Sequence, residues 1–332
     1  MIRRALHQLL LALETLLERL RGPRRRGRVI DPYIGYATPE HRIVRGRVLT
    51  GLRRSSPAPD HSRWQNFRQM LGLFFTREVA DVTLCAEGVE ALSDEEGYFT
   101  LLLPRGTGSG WSEVPVQIKE SEEEALCPVL IADPDARFGV ISDIDDTVLQ
   151  TGAHSFLRNL WTSFTGNALT RKIFPDAVPF MRALSQEGRN PVYYVSSSPW
   201  NLHYFLDRIF RLAGLVRGPK FLRDLGLSET QFISGTHGDH KGSAIDRLLA
   251  ANPGLRFVLV GDTGQHDAHV YRAAVARHPG RIAAVVLREP GPGPDSASEE
   301  AMAEIAASGA LLLHGTSFQG FAGRLREHLE AT

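Results

Sequence analysis

The spacing of apolar residues changes period twice along the chain, dividing it into three segments. In the first, Ile2, Leu6, Leu9, Leu13, Leu16 and Leu20 recur at alternating spacings of four and three. That lines them along one face of an amphipathic helix, which Gly22-Pro23 ends. From about residue 29 to 135 the period is two, in Val44, Gly46, Val48, in Val82, Leu84, Ala86, in Phe99, Leu101, Leu103 and in Val114, Val116, Ile118. With turn residues between the runs, as at Ser93 to Gly97, this predicts a small all-β sandwich. Residues 62 to 75, with Trp64, Phe67, Met70, Leu71, Phe74 and Phe75, read as a helical insertion. Beyond residue 136, continuous apolar runs alternate with helical patterns. They predict an α/β domain with a doubly wound parallel sheet, its core strands near 138–142, 192–196, 257–261 and 282–287. The expected domains are therefore 1–28, 29–135 and 136–332.

Composition narrows the class. A chain of 332 residues suits two globular domains, and 42% hydrophobic with 23% charged residues is ordinary for a soluble protein. The formal net charge is zero, so no global field favours nucleic acid. Charge is concentrated instead in residues 1–28, where eight arginines face only Glu14 and Glu18. Two readings of this segment stand: a helix packed on its own domain or on a partner chain, or a peripheral helix on an anionic membrane with a polybasic flank at Arg24 to Arg28. His7, Gln8, Glu14, Glu18 and Arg19 interrupt its apolar stretch, and no small-x-small cleavage site follows. The expected location is the cytoplasm, and the second reading adds contact at the inner face of the membrane. The two cysteines, Cys85 and Cys127, read as buried thiols in a reducing compartment. Nothing in the sequence sets the oligomeric state.

Candidate chemistry begins in Gly139-Val-Ile-Ser-Asp143-Ile-Asp145-Asp146-Thr147, where a short apolar stretch breaks into loop. Two carboxylates one residue apart at a strand's C-terminal end divide labour in phosphoryl transfer: one attacks phosphorus while the other moves protons. A second apolar run ends in Ser196-Ser197-Ser198, a third in Gly261-Asp262 with Asp267 in the following loop, and Lys241 lies between them. Acidic pair, hydroxyl, lysine, acidic pair, each strand-borne group at a strand's C-terminal end, is what a phosphate and magnesium site in an open parallel sheet needs.

Five stretches make this order more specific: Ser142-Asp-Ile-Asp-Asp-Thr-Val148, Tyr194-Val-Ser-Ser-Ser-Pro-Trp-Asn-Leu202, Gly218-Pro-Lys-Phe-Leu-Arg-Asp224, His240-Lys241 and Leu259-Val-Gly-Asp-Thr-Gly-Gln-His-Asp-Ala268. Together they resemble the catalytic domain of the actin-patch-type phosphatidate phosphatases, within the haloacid dehalogenase superfamily. The resemblance implies an HAD-like fold. It also implies Asp143 as a nucleophile that forms an aspartyl-phosphate, Asp145 as general acid and then base, and Lys241 neutralising charge. Magnesium is then held by Asp143, the carbonyl of Asp145 and Asp262, with Asp267 orienting that shell or Lys241. Ser196 is expected to donate to a phosphoryl oxygen, with Ser197 and Ser198 competing for the place. Thr147 is expected near substrate or bracing the loop. Lys220 and Arg223 are expected at a lipid phosphate, an anionic surface or an exposed salt bridge. The intervals between motifs leave no room for a large cap, which suits a bulky substrate. Ser93 to Pro104 more weakly resembles transthyretin-like sandwiches. Magnesium-dependent hydrolysis of phosphatidate to diacylglycerol is the leading expectation. Another phosphomonoester (lysophosphatidate, a sugar phosphate, a nucleic-acid end) is the alternative. A noncatalytic membrane adaptor is a third reading, against which the intact set of carboxylates and lysine counts.

Overall fold

The computed structural model describes residues 27–50, 79–150, 173–223, 237–291 and 293–331. The helix expected at residues 2–20 and the helical insertion at 62–75 lie outside the described residues, as do 151–172 and 224–236, which belong to the intervals expected to lack a cap.

Strands β1 (Val29–Ala37), β2 (His41–Leu49), β3 (Thr83–Ala86), β4 (Val89–Leu92), β5 (Tyr98–Pro104), β6 (Gly110–Ile118) and β7 (Glu124–Ile131) form the β-rich region. Alternation does what the sequence predicts: Phe99, Leu101 and Leu103 of β5, and Val114, Val116 and Ile118 of β6, point into one core while their neighbours face water. The strands bond as one seven-stranded sheet, in the order β4-β3-β6-β7-β1-β2-β5, rather than as two separately bonded sheets. Its edge strands β4 and β5 are joined only by Ser93–Gly97. Flat, six gaps of ~4.8 Å would put those edges about 29 Å apart, beyond the roughly 20 Å such a linker spans. The sheet therefore curls around its own core. Cys127 is buried in that core, whereas Cys85 is only half-buried and turns its thiol to the Gln117 carbonyl.

The second region alternates strands and helices: β8 (Gly139–Asp143), α1 (Ala177–Ser185), β9 (Val192–Pro199), a 3-10 turn (Trp200–Leu202), α2 (His203–Ala213), β10 (Lys220–Arg223), α3 (His237–Ala251), β11 (Phe257–Asp262), α4 (Asp267–Arg277), β12 (Ile282–Arg288), α5 (Ser296–Ala307), β13 (Leu311–Gly315) and α6 (Phe321–Ala331). All neighbouring strands run parallel, in the order β10-β9-β8-β11-β12-β13. Helices α1, α2 and α6 cover one face and α3, α4 and α5 the other, so β8, β11 and β12 are buried along their whole length. That two-sided burial explains why their sequences are continuous apolar runs. The four expected strands appear as β8, β9, β11 and β12, and the short edge strands β10 and β13 are additional.

The two regions touch. Tyr36 and Leu130 of the curled sheet join the core under α3 and α4, and an Arg45 Nη donates to the carbonyls of Ile34 (2.8 Å) and Lys220 (3.3 Å).

Candidate active site

Strand β8 is the switch point of the parallel sheet. Strands β9 and β10 extend the sheet on one side of it, and β11, β12 and β13 on the other. Successive connections therefore leave in opposite directions and open a crevice beyond the C-terminal ends of β8 and β11. Asp143 is the last residue of β8 and Asp262 the last of β11, so strand pairing alone places their carboxyl groups together.

The loop after β8 is fixed from below and tied within itself. Ile144, Val148 and Leu149 are buried in the core, while the Val148 and Leu149 amides both donate to the Ile144 carbonyl. Asp146 takes a left-handed backbone (φ 55°), a conformation aspartate tolerates better than most residues, and its carboxylate accepts from the Gln265 amide at 3.2 Å. The Thr147 hydroxyl, fully buried, donates to Asp143 Oδ2 at 3.3 Å. This leaves Asp143 and Asp145 at the mouth of the sheet, both buried.

Across the crevice, Lys241 near the start of α3 lies 2.8 Å from Asp143 Oδ1 and 2.5 Å from Asp267 Oδ1. Both contacts are ion pairs, and the second is also a hydrogen bond. Asp267 opens α4, and its Oδ2 accepts from the Asp262 amide at 3.2 Å. The approach requires Gly261, since a Cβ there would sit 2.5 Å from Asp267 Oδ2 and 2.7 Å from the Tyr271 ring. Asp262 Oδ1 accepts from the Gly264 amide at 2.6 Å, closing the turn.

Burial pushes the Asp143 carboxyl well above the usual aspartate range; Lys241 pulls it back, and Asp267, Asp145 and Asp262 push it up again. Burial, then Asp267, lifts Asp262 to about 8. Asp145 is raised by burial against the pull of Ser196 and Ser198. Burial also opposes the charge on Lys241, but Asp143 and Asp267 outweigh it and hold the ammonium protonated. One lysine does not balance these carboxylates. Asp145 Oδ1 and Asp262 Oδ2 are buried without a hydrogen-bond donor, and Asp143 Oδ1 meets only the Lys241 ammonium among the described residues. Among the described residues, ligand oxygens of Asp143, Asp262 and Asp267 lie within 4.8 Å of one another. An all-oxygen, net-negative site with unsatisfied oxygens fits a hard divalent cation.

Other expected residues take different places. The Ser196 hydroxyl donates to Asp145 Oδ2 at 2.6 Å, and the Ser198 hydroxyl joins it at 3.0 Å, so both are committed to the carboxylate. The Ser198 amide in turn donates to Ser196 Oγ at 2.9 Å. Ser197 is the half-buried member of the three and makes no hydrogen bond through its side chain to the other described residues. Lys220 does not face the crevice mouth. It is buried and paired with Asp207 at 3.0 Å, because it starts β10 beneath the sheet's end. Arg223, half-buried, lies at the C-terminal edge opposite Pro199.

Sequence reading passed over Arg288. It ends β12 and is buried, its guanidinium 4.0 Å from the Phe174 ring centroid and 3.9 Å from that of Phe318. It donates to the carbonyls of Thr147 (2.8 Å) and Thr316 (3.1 Å) and, through both Nη atoms, to Asp176 (2.9 and 3.2 Å). The available signal was its position: like Asp143 and Asp262, it is a charged residue closing an apolar run.

Carboxylates on the ends of adjacent parallel strands, a shared lysine and a hydroxyl-bonded aspartate define a site of the phosphohydrolase class. Residues 138–289 match the family described as phosphatidate phosphatase APP1, catalytic domain. One relative, phosphatidate phosphatase APP1 of Saccharomyces cerevisiae, is 29% identical over 151 residues, 45% of this chain and 25% of its own length. An uncharacterized protein of Schizosaccharomyces pombe is 24% identical over 203 residues, 58% of this chain and 33% of its own. The chain thus spans a quarter to a third of these relatives. A carbohydrate acetylesterase of Xanthomonas citri aligns over 90% of this chain and 72% of that one, at 12% identity and a TM-score of 0.30, too low to bear on fold or function.

Proposed function

We propose that this protein is a magnesium-dependent phosphatidate phosphatase that works through an aspartyl-phosphate. The observation that carries the reading is the buried set Asp143, Asp145, Asp262 and Asp267 around Lys241, in which Asp145 Oδ1 and Asp262 Oδ2 lack a donor. Residues 136–332 are then an HAD-like, doubly wound catalytic domain without a large cap, and 29–135 a separate β-rich domain. Asp143 attacks phosphorus, the bond from phosphorus to the glycerol oxygen breaks, and Asp145 delivers its proton to the departing alkoxide. Asp145 then takes a proton from the water that displaces Asp143, releasing phosphate and restoring both carboxyl groups. Lys241 holds Asp143 in line and offsets charge on the phosphoryl group. Of the serines, Ser197 is the one left to donate to a phosphoryl oxygen, while Ser196 and Ser198 hold Asp145. Asp143, the Asp145 carbonyl and Asp262 would hold magnesium, which supplies charge neutralisation at the phosphoryl oxygens when bound. Asp267, both oxygens already engaged, serves by orienting Lys241 and the Asp262 backbone.

Phosphate release tests this directly. Phosphatidate in mixed micelles should exceed soluble monoesters in kcat/KM, with activity lost in chelator and restored by magnesium rather than zinc. A clear preference for a sugar phosphate or nucleotide would transfer the same chemistry to another substrate. Full activity after exhaustive chelation would remove the metal.

We also propose that residues 1–28 bring the enzyme to anionic membranes. Among the described residues no helix is long and apolar enough to cross one. The apolar stripe and the four arginines from Arg24 to Arg28 combine two weak anchors, each basic residue contributing about 1 kcal/mol near an anionic surface. Deleting residues 1–28 should weaken binding to phosphatidylserine vesicles, more at low salt than at high, while hydrolysis of a soluble monoester is unchanged. Undiminished vesicle binding after the deletion would contradict the anchor.

A further inference from the structure

The curled sheet reaches the proton-transfer machinery through a stack of aromatic rings. Trp200 follows Ser196–Pro199 directly, beginning the 3-10 turn after β9. Tyr33 of β1 lies parallel against it, ring centroids 5.0 Å apart and planes 6° off parallel. The same Tyr33 ring sits 4.1 Å from His203, the first residue of α2, and Tyr98 of β5 closes the group at 6.3 Å from both Tyr33 and Trp200. Arg45 of β2 crosses from the other side, its guanidinium 5.5 Å from the Trp200 ring and 4.9 Å from Phe221. Its hydrogen bonds to the Ile34 and Lys220 carbonyls tie β1 to β10. No carboxylate among the described residues pairs with Arg45, so aromatic faces and carbonyls hold this cation.

The consequence lies in what this stack anchors. The turn at Trp200 fixes the end of the stretch from which Ser196 and Ser198 both reach Asp145 Oδ2. Among the described residues, the Asp145 carboxylate has no other hydrogen-bond donor. Rings packed at 4 to 6 Å on a rigid sheet lock a turn more firmly than a solvated loop locks itself. We infer that Tyr33 and Arg45 are positioning residues, acting through Trp200 to hold Ser196 and Ser198 on Asp145, and that the β-rich region thereby serves the chemistry. This rests on Asp145 being the proton donor.

The test compares two monoesters of nearly equal size and different leaving group. Phenyl phosphate needs its departing oxygen protonated, whereas p-nitrophenyl phosphate scarcely does. A misplaced acid therefore slows the first far more than the second. In the full chain with magnesium, Tyr33→Leu should lower kcat/KM for phenyl phosphate about tenfold and for p-nitrophenyl phosphate less than twofold, since a displacement of a fraction of an ångström costs a proton transfer that much. Tyr33→Phe, which keeps the ring, should restore the wild-type ratio. Trp200→Phe, shrinking the stack from the other side, should reproduce the Tyr33→Leu pattern and serves equally if Tyr33→Leu does not fold. Equal losses on both substrates, or no loss on either, would reduce the stack to plain packing and overturn the inference. Asp145→Asn separates the two claims. If it shows the leaving-group bias and the stack variants do not, the inference fails alone. If it shows none, the assignment of Asp145 as proton donor fails.

Discussion

Asp143→Asn should stop turnover, by on the order of a thousandfold or more, which corresponds to about 4 kcal/mol of barrier, while leaving the protein at least as stable as before. The amide is nearly isosteric and keeps contact with Lys241 and Thr147, but it has no lone pair of carboxylate basicity to attack phosphorus. Stability follows from the electrostatics of the pocket. Burial holds the Asp143 carboxyl well above the usual aspartate value of 3.8, with Asp267, Asp145 and Asp262 adding to it against Lys241. A carboxyl whose folded pKa exceeds its unfolded one contributes stability that is fully present below 3.8 and is lost as the pH rises through the folded pKa. An amide has no such loss. In chelator at pH 8, the variant should melt at or above the wild-type temperature. Radiolabelled substrate should trap a phosphorylated wild-type chain and no phosphorylated variant. Persistent turnover would eliminate the covalent route, and a lower melting temperature would contradict the electrostatic account.

Arg288→Met should cost about 3 kcal/mol of stability and lower the melting temperature by roughly 6 °C or more. The methionine keeps some contact with Phe174 and Phe318 but removes the donors to Thr147, Thr316 and Asp176. A quarter of the Asp176 side chain is exposed, so the ion pair itself is screened. Most of the loss comes from the bared carbonyls. Burial alone would raise Asp176, yet Arg288, the Phe318 amide and the Ser317 hydroxyl hold it below the usual range. The stability that Asp176 contributes is therefore present above 3.8 and lost as the pH falls through its folded value, and the gap between wild type and variant should narrow in acid. Turnover should fall as well, because Thr147, whose carbonyl Arg288 holds, donates to Asp143. Thermal melts at pH 7 and pH 3 read both effects. A variant as stable as wild type would show that the guanidinium is dispensable.

These expectations show which features a sequence exposes. Asp143, Asp145 and Asp262 were legible because each sits beside the break between an apolar run and a loop, a local signal that survives without knowledge of the fold. Lys241 was legible by its place in the order of motifs, but its position between Asp143 and Asp267 depends on the docking of α3 against the sheet. Ser196 was found as a site hydroxyl, and its hydroxyl turns to Asp145. Which hydroxyl meets Asp145 depends on the register of β9 against β8, where a shift of one residue turns every side chain over. For Lys220 a salt bridge was among the expectations, and the one it makes, to Asp207 of α2, is buried rather than exposed on the lysine side. The period-two pattern gave the curled sheet its strands, but not the single bonded order that joins its edges, since strand order is a long-range property.

The order of strands also governs when the chain becomes an enzyme. β8 and β11 are neighbours in the sheet, yet Asp143 and Asp262 are separated by roughly 120 residues, and contacts so distant in sequence form late and slowly. Before β11 docks, Asp143 has neither Asp262 nor Asp267 beside it, and Lys241 lacks one of its two carboxylate partners. A newly made or partly unfolded chain therefore carries its nucleophile without the means to use it, and recovery of activity during refolding should be among the last signals to return.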